Sequence, residues 1–486
     1  MEMQERKRKV SPFKGTPEQQ VSQSGQYKQE LARNIGVISA VGITVSGIAP
    51  LPSIFMIAPI IFDAQGSGVF LSSLIAAIIS LGMALCYAEL GSAFPVTGGE
   101  YAVVARVLGR PLGFVTFTAF LVMSLSGVSA FGLGTAFYLE DFLPGINGHL
   151  LGAVIVLATA AIALLPIKSN ALIMGIFLAL QIAVILVIAL LGFTHLNQPL
   201  SILIHPQDFS HGHGEPVSPG VIILGVTLAI MIFGGYNAPM YFSEEVVNPR
   251  RNVPSAILWS LALTVAISIL PLIAILLGTP SLRALTTADN PMSYVLHALG
   301  GQTIASLLIL SVVLATFNCS IAGILGMSRI FYSSGRDKAW PGPISAWMAY
   351  YHPRLKTPIV ATVFIGIIGT LLAAFTDVDE LFTFTAFLMV VLFALVALAA
   401  LVSRFTQRNL ERPYKMPLWP IPPLVGLLGC ITVATQQSLF DIIIVAVILL
   451  LGGLYYALYL RPRAATHWVM LKPIASEQDE HAIAGR

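Results

Sequence analysis

Two stretches hold the residues whose types and spacing could do chemistry, and that chemistry is recognition rather than bond-making. The first, Ile230 to Ile257, reads IMIFGGYNAPMYFSEEVVNPRRNVPSAI. An apolar run is interrupted by Phe233-Gly234-Gly235-Tyr236-Asn237-Ala238-Pro239. It resumes as a predicted short half-helix and ends in the acidic pair Glu244–Glu245. The second runs Gly42-Ile43-Thr44-Val45-Ser46-Gly47-Ile48-Ala49-Pro50, with Pro52 just beyond. Glycines, an amide and prolines inside an apolar span are costly, because a backbone group left unpaired in lipid costs several kcal/mol. Broken helices occur where the break lines a protein-enclosed cavity. A pair of such breaks in matching positions of two halves points to the binding site of a secondary transporter.

At a break, free N–H groups carry a positive partial charge and free carbonyls a negative one. Two breaks face to face form a receptor for a zwitterion that needs no charged side chain. Ile43, Ser46, Gly47 and Ile48 are the candidates on the first break. Ser46, Gly47 and Ile48 are assigned to the carboxylate side, because Gly47 lets a ligand approach the backbone. Phe233, Gly234, Gly235 and Asn237 are the candidates on the second, facing the amino group with Phe233 as an aromatic lid. Close helix packing is the competing reading for each glycine, and core filling for Phe233. Gln181, Asn318 and Ser320 are candidates for lining the path or holding a coupling ion, with hydrogen bonding between helices as the alternative. Glu244 and Glu245 near Arg250, Arg251 and Arg329 are candidates for a cytosolic gate, against a plain helix-end charge cluster.

The elements that must position these residues are membrane helices. The 486-residue chain is 56% apolar and 10% charged, with a mean hydropathy of +0.84, where a soluble protein carries roughly 25% charged residues. A span needs ~20 mostly apolar residues. Twelve stretches qualify: 34–61, 68–91, 112–138, 149–167, 171–194, 218–243, 255–278, 302–332, 358–375, 380–403, 421–436 and 440–460. Placing the N-terminus in the cytosol puts every lysine and arginine except Arg283 on the inner side, as positive-inside orientation requires. Both termini are then cytosolic. Residues 1–33 form a polar tail with no signal-peptide pattern, and 461–486 form a second tail. Glu100–Gly109 reads as a short amphipathic helix on the cytosolic side, and Ser293–Leu299 as a short helix over the outer mouth. The loop from His195 to Pro219, with His211 and His213, reads as solvated. No metal site is expected.

The two breaks are five spans apart, so their helices cross in opposite directions. The expected fold is an all-α integral membrane protein with spans 1–5 and 6–10 as inverted repeats (34–403) and spans 11 and 12 (404–460) appended. Spans 1, 3, 6, 8 and 10 hold no Asp, Glu, Lys or Arg at mid-membrane depth.

Three further blocks carry a family likeness. Tyr87-Ala-Glu-Leu-Gly-Ser-Ala-Phe-Pro-Val-Thr-Gly-Gly-Glu-Tyr101 resembles the span 2–3 signature of the amino acid–polyamine–organocation superfamily. Phe242 to Ile257 is similar to its post-span-6 signature. Arg329-Ile-Phe-Tyr-Ser-Ser-Gly-Arg-Asp-Lys338 with His352-Pro-Arg-Leu-Lys-Thr-Pro358 is similar to its span 8–9 loop. The resemblance implies an amino acid or amine permease with substrate between unwound spans 1 and 6. Relatives with cationic substrates often carry an acidic residue where this chain has Asn237, and some proton-coupled relatives a lysine where it has Gln181.

The expected function is therefore a secondary permease of the cytoplasmic membrane moving amino acids, neutral ones first, by alternating access. Spans 1 and 6 would rock against spans 3, 4, 8 and 9, with a proton or sodium ion as the coupling ion. An amine or polyamine carrier, a substrate-sensing receptor and a channel are the alternatives. No cofactor, nucleic acid or covalent chemistry is expected.

Overall fold

The computed structural model describes residues 33–470 except 141, 144, 166, 210–213, 289 and 356, together with two-residue strands at Gln26–Tyr27 and Lys472–Pro473. Most of the expected N-terminal tail, His211 and His213 lie outside the described residues.

The chain is mostly helical. The first apolar stretch is two helices, α1 (Val37–Ile48) and α2 (Pro50–Gln65), hinged at Ala49 in the left-handed region with φ 48° and ψ 74°. Proline disfavours helical backbone in the residue before it, so Pro50 fixes the end of α1. Then come α3 (Val69–Ala93), the short α4 (Gly99–Val107), α5 (Arg110–Glu140), α6 (Gly148–Ala163) and α7 (Ile167–Thr194). The helix α8 (Pro219–Phe233) stops at Gly234. The expected half-helix beyond it is absent; Ala238–Met240 and Ser243–Glu245 are only single 3₁₀ turns. Gly235 at φ 105° and Pro239 leave too few consecutive helix-compatible donors for an α-turn to propagate.

The second half continues with α9 (Pro249–Gly278), α10 (Leu282–Thr287), α11 (Pro291–Arg336), α12 (Ile344–Met348), α13 (Ile359–Phe375), α14 (Val378–Thr406), α15 (Ile421–Ala434) and α16 (Leu439–Tyr455). Gly301, at φ 71°, divides α11 into a short leading helix and a long one. Among the described residues seven helical runs are long and apolar enough to cross a membrane, and α6, α8, α13 and α15 are shorter apolar helices. Leu157, Ile176, Leu186 and Leu190 are exposed on their outer surfaces, which suits a multi-pass protein solvated by lipid.

Two groups of helices pack among themselves. One joins α1, α2, α3, α8 and α9; the other joins α5, α6, α11 and α13. The segment leading into α1 is clasped to the chain beyond α8. Asn34 and Ile35 N–H both donate to the Glu245 carbonyl (3.0 Å each), and Val247 N–H donates to the Ile35 carbonyl (2.9 Å). The described part of the expected C-terminal tail is docked. Trp468 is buried, its ring lies 5.1 Å from those of Tyr101 and Phe114, and its Nε1 donates to the Arg110 carbonyl at 2.9 Å.

Candidate functional site

The break at Ala49 and the stop at Gly234 meet around one cavity of about 150 Å³. Its wall is drawn from α1 (Thr44, Gly47, Ile48), α5 (Phe120, Met123, Val128, Phe131), the end of α8 and the segment after it (Met231, Gly234, Gly235, Asn237, Tyr241), α11 (Cys319, Ser320, Met327) and α14 (Met389, Leu392, Phe393). The surface is overwhelmingly apolar side chain. Polar character comes from helix ends, a few hydroxyls and one carboxyl group.

The helix ends fix the local polarity. The N–H groups of Ser46, Gly47 and Ile48 lie inside α1 and are committed to its ladder. They are therefore not the free donors expected for a carboxylate. What α1 offers at its end are carbonyls: Val45 accepts from Ala49 N–H (3.0 Å), Gly47 from Cys319 Sγ (3.3 Å) and Ile48 from Ser53 Oγ (2.9 Å). The end of α8 likewise presents carbonyls. Donors belong to the start of α2, where of Pro50, Leu51 and Pro52 only Leu51 has an N–H to offer. The ends of α1 and α8 border the cavity, and no residue of α2 lines it.

The other expected site residues divide. Gly47, Ile48, Gly234, Gly235, Asn237 and Ser320 line the cavity. Ile43 lines a smaller void of about 40 Å³ next to it, bounded also by Gly47, Phe242 and Arg329. Phe233, expected as a lid, is fully buried in the apolar core and does not line the cavity. On the last turn of α8 its neighbours Met231 and Gly234 take the cavity-facing positions. Ser46 also faces away. Its hydroxyl accepts from Asn318 Nδ2 (2.7 Å) and donates to the Met174 carbonyl (3.2 Å), tying α11, α1 and α7 together. Ser320 Oγ donates to the Thr316 carbonyl in its own helix (3.3 Å). Gln181 is buried in α7, with neither amide atom partnered among the described residues.

The residue missed from the sequence is Glu100. It was expected on a surface helix, yet it is 2% exposed and lines the cavity. Its Oε1 accepts from Asn237 Nδ2, from Tyr241 OH (2.9 Å) and from Tyr87 OH (3.4 Å), while Oε2 has no partner. The signal was the pair in front of it. Gly98 at φ 148° and Gly99 at φ 55° turn the chain back into the bundle, and a Cβ on Gly99 would meet the Tyr241 ring at 2.7 Å. Burial holds the Glu100 carboxyl above the usual carboxylate range, and the hydrogen bonds from Tyr241, Asn237 and Tyr87 offset only part of that rise.

A buried charged network lies at the end of the bundle near Glu100. Glu245 and Arg329 form a buried ion pair (2.5 Å). Glu244 accepts from Thr97 N–H (2.9 Å) and pairs with Arg336 (3.3 Å). Arg250 does not join it; that side chain reaches exposed Glu411 at 2.7 Å. Arg251 is exposed as well. Both lie on the first turn of α9, which starts outside the bundle, and Arg336 takes the place expected for them. At the cavity's opposite end Phe131 and Phe382 meet edge to face at 5.3 Å. Beyond Phe382 lies a vestibule of about 370 Å³ bordered by Asp63 and Asp379.

The sequence model of a family described as amino acid permease matches residues 35–458. The chain is 28% identical over 459 residues to the branched-chain amino acid permease BcaP of Bacillus subtilis, covering 89% of this chain and 94% of that one. It is 26% identical to human b(0,+)-type amino acid transporter 1, with 91% of each covered. Among solved structures it is similar to Mhp1, a nucleobase-cation-symport-1 family transporter in a closed, bromovinylhydantoin-bound conformation. There the TM-score is 0.52 at 17% identity, over 87% of this chain and 96% of that one.

Proposed function

Because this chain belongs to the amino acid permease family, within the amino acid–polyamine–organocation superfamily, we propose that it carries neutral amino acids across the cytoplasmic membrane by alternating access. The observation that carries the reading is the cavity: an apolar chamber with the ends of broken helices in its wall. Such a chamber suits an apolar side chain joined to a zwitterionic head group. The ammonium lies against the carbonyl ends of α1 and α8, near Gly47, Ile48, Gly234 and Gly235. The carboxylate lies on the side of Asn237, the amide that borders the head group.

The first long helical run, Val37–Ala93, holds two crossings. With the six other long runs and the four shorter apolar helices this makes twelve, with both termini cytosolic. The group of α1, α2, α3, α8 and α9 rocks against α5, α6, α11 and α13. The Glu244, Glu245, Arg329 and Arg336 network is the cytosolic gate and Phe131 with Phe382 the outer one. The two breaks lie five crossings apart, and an inverted five-plus-five repeat accounts for that odd spacing.

Glu100 favours a second reading, an amine carrier with the carboxylate as its ammonium partner. Uptake by purified protein in liposomes separates the two. Labelled leucine and alanine are expected to enter, competed by unlabelled neutral amino acids, while labelled putrescine stays out. Putrescine entry without amino acid entry would overturn the neutral assignment.

A further inference from the structure

We infer that Glu100 is the proton carrier of this permease, binding one proton for each substrate moved and releasing it as the cytosolic gate opens. The inference rests on the transport reading above and adds the coupling ion and its residue.

Glu100 is a carboxyl group buried beside a substrate-sized cavity, and among the described residues it has no ion-pair partner. An isolated carboxylate in such a place is expensive, so the group takes up a proton or finds a cation. The titratable groups facing it are Tyr87 on α3 and Tyr236 and Tyr241 in the interrupted segment, all neutral hydroxyls. The cavity-lining side chains of α5, α11 and α14 carry no charge. A zwitterionic substrate brings no net charge to offset a carboxylate. Three donors converge on Oε1, and Oε2 stands without a partner. Burial without a counter-charge favours the neutral acid, and Oε2, which accepts no hydrogen bond, is the oxygen open to the proton, while the donors on Oε1 steady the carboxylate once the proton has left.

The geometry also ties this proton to the gate. Glu100 stands on α4, which packs on α5 of the scaffold group. Two of its donors, Asn237 and Tyr241, belong to the interrupted segment that moves with the other group. Three residues before Glu100, Thr97 gives its N–H to Glu244 (2.9 Å), and its carbonyl accepts from Ser333 (2.7 Å) and Arg336 (3.4 Å). One segment, 237–245, thus holds Glu100 at one end and the gate carboxylates at the other. When it withdraws from α4, Glu100 loses the Asn237 and Tyr241 bonds and meets water. The proton leaves from Oε2 to that water, and the carboxylate stays behind until the outer side reloads it.

The test uses full-length protein in liposomes, with labelled leucine and an imposed inward proton gradient. One proton per substrate supports about tenfold accumulation per unit of pH gradient. Wild type is expected to accumulate leucine accordingly and to acidify the lumen, read by a trapped pH dye, in step with uptake. Glu100→Gln is expected to lose accumulation, leaving an inside-to-outside ratio of about one. Whatever counterflow it retains should not vary from mildly acidic to neutral pH, and Glu100→Asp should restore part of the pH dependence. The inference is overturned if wild-type leucine uptake ignores the gradient and leaves the lumen pH unchanged, a result that would leave the transport reading intact. It is equally overturned if Glu100→Gln accumulates leucine like wild type. Should Glu100→Gln fail to insert, Tyr241→Phe carries the test: losing a donor to Oε1 should move the pH midpoint of uptake upward, and an unmoved midpoint would overturn the assignment to Glu100. Wild type that moves putrescine but no neutral amino acid defeats the transport reading itself, and the inference with it.

Discussion

At the scale of single residues, burial decides which side chains reach the cavity. Gly47, Ile48, Gly234, Gly235 and Asn237 sit where a glycine- and amide-bearing break was read to line a cavity. Phe233 and Ser46 do not, because a break names a neighbourhood and not a direction, and adjacent residues on a helix face different ways. Phe233 is packed on all sides, so Phe233→Ala should behave as a core truncation. We expect a stability loss of about 3–5 kcal/mol and an unchanged apparent affinity for substrate. Thermal unfolding in detergent and the concentration dependence of uptake measure the two effects. Weakened affinity in a protein of wild-type stability would return Phe233 to the cavity. Glu100 was hidden for a related reason. Its short amphipathic helix reads as a surface element, and only the left-handed Gly98–Gly99 turn brings its first residues under Tyr241.

At the scale of elements, the helix limits were largely legible. Sustained apolar runs mark the membrane helices, and prolines mark their ends. The Ala49 hinge followed from Pro50, but the backbone polarity at that hinge did not follow from composition. Helix α1 persists through Ile48, so Ser46, Gly47 and Ile48 offer carbonyls, and Pro50 and Pro52 strip α2 of donors. Long-range pairing was the least legible feature. Glu244 and Glu245 are neighbours in sequence with Arg250 and Arg251, but they pair with Arg336 and Arg329 on α11. The buried Arg329–Glu245 pair joins the two helix groups, and removing one partner of such a pair costs about 3–5 kcal/mol. Much of that cost falls on the conformation that contains it. Glu245→Gln should therefore favour a conformation open at the proposed cytosolic gate. In oriented membrane vesicles an impermeant thiol reagent applied from the cytosolic side should label Cys319 several-fold faster than in wild type. Unchanged labelling would make the pair a static strut.

At the scale of the whole molecule, a buried network of ion pairs lies on one side of the cavity and the Phe131–Phe382 pair on the other. A proposed cycle closes one seal while it opens the other. Its central claim is that substrate occupies the cavity between the Ala49 hinge and Gly234. Cys319 lines that cavity, while Cys86 and Cys430 are buried elsewhere. The most direct measurement is the rate at which a small permeant thiol reagent alkylates Cys319 in purified protein as a transported neutral amino acid is titrated in. Saturable protection of Cys319 alone, at the concentrations that saturate uptake, is the predicted result. An alkylation rate that stays constant while the same substrate saturates transport would contradict it.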